Sequence, residues 1–227
     1  MSTLCIAFDL DDTLYLERDY VQSGFDVVGD WVAATLGMKH FAENARLLFE
    51  QGERGSVFQS VLKHLGREPE PLIVSKMVDI YRNHEPKISM LPDASECLAR
   101  LRDQAVLSII TDGPLASQRA KCRKLRLEEF CKFIVLTDEW GAQFHKPHLR
   151  AFEFVRSQTG PGSFEFIYVA DNPAKDFNGP LALGWDTVRV RRPGGLHFAR
   201  EAMPAAQPRV EIGDLSLLCD VLGTGVR

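Results

Sequence analysis

Three carboxylates crowd into four positions of "FDLDDTLYL", residues 8–16: Asp9, Asp11 and Asp12. Like charges that close raise one another's pKa and cost stability unless a cation or a reacting group lies among them. Chemistry-bearing residues recur later, each after a short apolar run. Thr111 stands in "TDG" after "VLSII", Lys146 in "HKP" downstream of "FIVL", and Asp171 and Asp176 in "DNPAKD" after "FIYVA". In an open parallel sheet, ligands sit outside the carboxyl ends of the strands. Four strand ends that supply acids, one hydroxyl and one lysine therefore describe a single edge. Taken singly, Asp9 and Asp11 read as a solvated turn, Lys146 as a surface lysine, and Asp171 as a turn residue before Asn172-Pro173. It is their convergence that argues for a site.

The elements that must position these groups follow from apolar patterning. The runs "LCIAF", "VLSII", "FIVL", "FIYVA" and "DTVRV" are strand-like, and most are bracketed by segments of helical spacing. Asp93 is expected to cap a helix burying Cys97, Leu98 and Leu101. Further helices place Cys122 and Leu125, then Phe152 and Val155, on one side. Strands alternating with helices predict right-handed crossovers and a parallel sheet covered on both faces, an α/β architecture. The alternation fails between about residues 15 and 90. There Val21, Phe25, Val28, Val32 and Leu36 run at helical spacing to Gly37, which suits a C-terminal cap. Helices around Phe41–Leu48, around Phe58–Leu65 and after Pro71 complete an inserted bundle. The loosest stretch is 191–209, and "VEI" with "DLSLLCDVL" closes the chain with a strand and a helix. The run "RVRR", Arg189–Arg192, reads as a solvated strand end.

Bulk properties narrow the function further. The 227 residues carry a net charge of −4 and 45% hydrophobic content. That leaves no electrostatic footprint for nucleic acid or an anionic membrane. No apolar stretch approaches the ~18–20 residues of a membrane span, and the N-terminus does not read as a signal peptide. The cysteines (Cys5, Cys97, Cys122, Cys131, Cys219) are odd in number and widely scattered, a pattern expected of reduced thiols in a cytoplasmic protein. The histidines show no metal-ligand spacing.

The motifs "FDLDDTL", "IITDG", "HKP" and "VADNPAKD", in that order, resemble those of the haloacid dehalogenase (HAD) superfamily of hydrolases. The resemblance implies a Rossmann-like, doubly wound parallel sheet core (residues 1–14 and 91–227) with an α-helical cap inserted at 15–90. It implies Asp9 as a nucleophile that forms an aspartyl-phosphate, and Asp11 as the acid/base. Mg²⁺ would be held by Asp9, Asp171 and the backbone carbonyl of Asp11. Thr111, Asp112 and neighbouring N–H groups line the phosphate pocket, the Asp112 side chain having no role of its own. Lys146 supplies positive charge to the phosphoryl oxygens and to Asp9. Asp176 and Asn172 stand behind them as supports. The chemistry is coherent: a phosphate ester repels a carboxylate, and a divalent cation between them neutralises the repulsion and aligns the attack. Asp11 is expected to have a raised pKa suited to protonating the leaving alcohol. Asp12 is expected to fix the turn or pair with a base, and Thr13 to bond locally to the backbone.

An acid two residues beyond the nucleophile favours phosphoryl transfer over dehalogenation, because a halide leaves without a proton. The expected enzyme is a Mg²⁺-dependent phosphatase of a small phosphorylated metabolite, monomeric or homodimeric. Two alternatives stay open: a phosphosugar mutase on the same scaffold, and a phospho-accepting receiver-type signalling module. The lysine motif departs from the family in continuing "KPHLRAFE" where Asp-Pro is frequent. In the insert, Arg54 of "QGERGSV" is a candidate for reading the substrate, on a tip that Gly52 and Gly55 leave free to move.

Overall fold

A computed structural model describes residues 3–223. Six parallel strands form one sheet among the described residues: β1 (Thr3–Phe8), β2 (Ala105–Thr111), β3 (Phe133–Leu136), β4 (Phe164–Ala170), β5 (Asp186–Val190) and β6 (Val210–Ile212). Their order across the sheet is β3-β2-β1-β4-β5-β6. The order reverses direction at β1, which pairs with β2 from Leu4↔Ala105 and with β4 from Thr3↔Phe164. A switch of this kind opens a crevice at the carboxyl ends of the strands. Most strand positions are buried on both faces, so β1, β2 and β3 read as near-continuous apolar runs. This is the α/β parallel sheet expected from the patterning, doubly wound as the resemblance implies.

The chain separates into two compact units, one of Met1–Glu17 with Ser89–Arg227 and one of Arg18–Ile88. In the first, helices α5 (Pro92–Leu101), α6 (Leu115–Lys124), α7 (Arg150–Gln158), α8 (Asn178–Ala182) and α9 (Leu218–Val221) accompany the sheet. Phe152 of α7 meets Tyr168 and Trp185 edge-on, with ring centroids 5.0 and 5.5 Å apart. Pairs of that geometry add about 0.5–1.5 kcal/mol each beyond the area they bury. Asp93 does not cap α5. It sits inside the first turn, where its carboxylate accepts the Leu215 N–H at 2.8 Å and pairs with Arg192 at 2.7 Å. Pro92 opens that helix instead, since a first-turn proline needs no N–H partner.

The second unit holds α1 (Glu17–Leu36, beginning one residue earlier), α2 (Phe41–Glu50), α3 (Val57–His64) and α4 (Pro71–Asn83). Its core is aromatic: Phe25 packs against Phe49, Phe58 and Tyr81 at centroid distances of 6.0–6.1 Å. On α2 the buried face is Phe41, Ala45 and Phe49, while Leu48 is only half-buried. A Cβ at Gly24 would lie 2.4 Å from the Tyr81 ring, so glycine there lets α1 and α4 approach closely. Gly37, with φ +68, ends α1 in the left-handed conformation that glycine adopts without penalty. No helix among the described residues is long and apolar enough to cross a membrane.

Candidate active site

Asp9 follows β1 directly, and its N–H continues the ladder to Val169 O at 2.9 Å. Asp171 follows β4, and Asp176 closes the turn beyond it by accepting the Asn172 N–H at 2.9 Å. Asn172 in turn accepts from Ala174 N at 3.0 Å, and its own side-chain amide lies 3.0 Å from His197 Nε2. The carboxylates of Asp9, Asp171 and Asp176 each offer an oxygen, and these atoms all lie within 4.8 Å of one another. All three residues are buried.

Lys146 reaches the same cluster from the far end of a loop. After β3, two short 3₁₀ turns (Thr137–Trp140 and Ala142–Phe144) lead to it. Its Nζ lies 2.8 Å from both Asp9 and Asp176 and donates to Tyr168 OH at 2.8 Å. The loop is anchored by Asp112, whose Oδ1 accepts from Thr137 Oγ1 at 2.7 Å and from Lys146 N at 3.1 Å. Its other oxygen pairs with Lys175 at 3.0 Å. The Asp112 side chain is thus occupied by protein donors and shapes the path of the loop.

Electrostatics separate the acids. Burial pushes the Asp9 carboxyl up to about 6 against the pull of Lys146. Burial, with Asp176 and Asp9 alongside, raises Asp171 well above the carboxylate range. Lys146 is held cationic, since Asp176 and Asp9 outweigh the cost of its burial. Anionic oxygens so confined form a hard donor set that suits Mg²⁺, an ion bound through one or two carboxylates with water and phosphate completing its shell. The group fits the residues present.

Asp11 departs from the sequence expectation. Burial alone would raise its carboxyl, but the Lys121 ammonium, with hydrogen bonds from Tyr15 and Gln118, outweighs burial and holds it low. Lys121 Nζ lies 2.6 Å from Asp11 Oδ1, which also accepts from the Tyr15 hydroxyl. Gln118 Nε2 donates to Asp11 Oδ2 at 3.0 Å and to Thr111 Oγ1 at 2.5 Å. Asp12 fixes the turn, at φ 54, by accepting from Glu17 N at 2.9 Å and Leu196 N at 2.7 Å. Thr13 Oγ1 makes no local bond; it is buried without a hydrogen-bond partner.

Sequence reasoning passed over several supports. "RVRR" is no solvated end, because Arg189 and Arg192 are buried. Arg189 donates to the Asp171 carbonyl at 3.2 Å and to the carbonyls of His197 and Arg200 at 3.0 and 2.6 Å, and pairs with Glu211 at 3.0 Å. Arg192 donates to Thr13 O at 2.9 Å and pairs with Asp93. Within the second unit, the Arg54 guanidinium lies 3.7 Å over the Phe49 ring and donates to the carbonyls of Phe49 and Glu53.

Residues 6–190 match the family described as haloacid dehalogenase-like hydrolase. Among curated relatives, the chain is 29% identical over 195 residues to a glyceraldehyde 3-phosphate phosphatase of Methanocaldococcus jannaschii, covering 82% of this chain and 83% of that one. It is 26% identical over 200 residues to a ribulose-1,5-bisphosphate 5-phosphatase of Halopiger xanaduensis, covering 81% and 82%. Among solved structures, the HAD-hydrolase YfnB of Bacillus subtilis, bound to magnesium, superposes with a TM-score of 0.70 at 20% identity, covering 98% of this chain and 99% of that one.

Proposed function

Because the chain belongs to the haloacid dehalogenase-like hydrolase family, we propose that it is a Mg²⁺-dependent phosphatase of small phosphorylated metabolites working through an aspartyl-phosphate. One observation carries this reading: Asp9, Asp171 and Asp176 bring carboxylate oxygens within 4.8 Å of one another. When bound there by Asp9, Asp171 and the Asp11 carbonyl, Mg²⁺ supplies charge neutralisation for the phosphoryl oxygens. Asp176 and Asn172 support that set.

The protein's own residues account for the two steps. Asp11, which Lys121 holds ionised in the free protein, takes up a proton from solvent as the anionic ester binds beside it. Asp9 attacks phosphorus, the bond to the ester oxygen breaks, and its electron pair leaves with the alkoxide, to which Asp11 gives that proton. Lys146, already beside Asp9, balances the charge that gathers on the transferring group, and Thr111 with the N–H groups near Asp112 holds that group in place. Asp11, now ionised, takes a proton from the attacking water. The bond from phosphorus to the Asp9 oxygen breaks, orthophosphate leaves, and the Asp9 carboxylate is regenerated.

The sugar phosphates named for the two curated phosphatases make three- to five-carbon sugar phosphates the first substrates to try. The inserted unit serves as the cap, and Arg54 reads the substrate by exchanging its loop carbonyls for the bound molecule. If Arg54→Ala leaves KM and selectivity unchanged across a panel, that assignment is wrong. The expected location is the cytoplasm, a reading that five cysteines without a disulfide support, and the expected state is a monomer or homodimer. The deciding assay measures orthophosphate release with wild type and Asp9→Asn, with and without EDTA. Asp9→Asn is expected to lower kcat at least about 1,000-fold without loss of the fold. EDTA abolishes turnover and Mg²⁺ restores it. Isomerised phosphosugar with no phosphate released favours a mutase, and a phospho-form stable for minutes without turnover favours a receiver.

A further inference from the structure

The helix that follows β2 carries four basic side chains, with Arg126 just beyond its end, and the five divide sharply. Arg119, Arg123, Lys124 and Arg126 are exposed, while Lys121 is only 4% exposed. Gln118, three residues earlier on the same face of α6, is 1% exposed. Burying an ammonium and an amide costs free energy unless their hydrogens are used. Here they converge on one carboxylate. Lys121 holds Asp11 Oδ1 at 2.6 Å, and Gln118 holds Oδ2 at 3.0 Å while its nitrogen also lies 2.5 Å from Thr111 Oγ1. With both oxygens engaged, the carboxyl plane of Asp11 is fixed about its Cβ–Cγ bond. Lys146 meanwhile serves Asp9 and Asp176, so Asp9 and Asp11 each have a lysine of their own.

From this arrangement we propose that Gln118 and Lys121 are positioning residues that set the Asp11 carboxyl and the Thr111 hydroxyl in a common geometry for phosphoryl transfer. The proposal rests on the phosphatase reading above. Lys121 orients the proton donor and acceptor, and Gln118 ties it to the hydroxyl that meets the phosphoryl group. A displacement of about 1 Å at such a group is enough to cost on the order of 100-fold in rate.

The test compares wild type with Lys121→Met, Lys121→Arg and Gln118→Leu on two esters. Glycerol 1-phosphate needs a proton for its leaving group, whereas p-nitrophenyl phosphate does not. Lys121→Met is expected to lower kcat on glycerol 1-phosphate about 100-fold with KM within about threefold. On p-nitrophenyl phosphate it keeps a first-turnover burst of nitrophenolate within about threefold of wild type, followed by slow turnover and accumulated phosphoenzyme. Lys121→Arg restores glycerol 1-phosphate turnover to within about tenfold of wild type. Equal loss in the burst and on the alkyl ester, or a rise in KM alone, overturns the proposal. If Lys121→Met lacks the wild-type thermal transition, Gln118→Leu, which removes only a neutral group, carries the same comparison. A crystal structure of the folded variant gives an answer independent of turnover: a turned Asp11 carboxyl supports the proposal and an unmoved one overturns it. Failure of the phosphatase reading itself shows differently, as wild type hydrolysing neither ester.

Discussion

At the level of single residues, the site is a negotiation between burial and charge. Asp9 binds its proton more tightly when folded, at about 6 against an ordinary 3.8, because burial disfavours its ionised form. An acid so shifted makes folding less favourable wherever it is ionised only in the unfolded chain. Metal-free stability should therefore fall, through this group, as pH rises from about 4 to about 6, by up to about 3 kcal/mol, and stay level above. Urea unfolding in EDTA checks this: the stability of Asp9→Asn relative to wild type should rise across that window. An unchanged difference contradicts the sign. Saturating Mg²⁺ works the other way, adding about 2.7 kcal/mol at a hundred times its Kd. The positions of Asp9, Lys146 and Asp171 were legible because each follows an apolar run or lies in a loop that must return to the sheet edge. Lys121 was not. It sits in a helix rich in exposed Arg and Lys, and only a tertiary contact separates it from them.

At the level of elements, β5 shows how a support hides in a strand. "DTVRV" alternates Val188 and Val190 with Arg189, a pattern that reads as half-exposed, yet Arg189 is completely buried. Its guanidinium ends on three carbonyls and Glu211, and one of those carbonyls belongs to Asp171. Arg189→Met removes a buried donor from the Asp171 and Arg200 carbonyls, while His197 O keeps the Arg200 N–H and Glu211 keeps Arg191. It should cost about 2–4 kcal/mol in chemical denaturation and weaken Mg²⁺ binding measured by calorimetry. Loss of stability with unchanged metal affinity would separate Arg189 from the site. Phe152 on α7 gives the apolar counterpart: Phe152→Ala opens the contact with Tyr168 and Trp185 and should cost about 3–5 kcal/mol. Helix periodicity made Phe152 visible from spacing alone. No spacing rule marks an arginine whose partners are backbone carbonyls from a later loop.

At the level of the whole molecule, all five cysteines are buried and none forms a disulfide, and burial pushes Cys5, Cys97, Cys122 and Cys131 up to about 12. Ellman's reagent should label almost nothing in the native protein and all five thiols in urea, since the thiolate is the reactive form. Rapid native labelling of more than one would contradict that burial. The sheet topology has a further consequence, for synthesis. Strand β1 takes one neighbour starting at Ala105 and the other starting at Phe164, whereas Arg18–Ile88 forms a unit on its own contacts. A polypeptide emerging from the ribosome can complete the inserted bundle early. The strand that carries Asp9 must wait with one open edge until β4 is made, the interval in which a chaperone has most to protect.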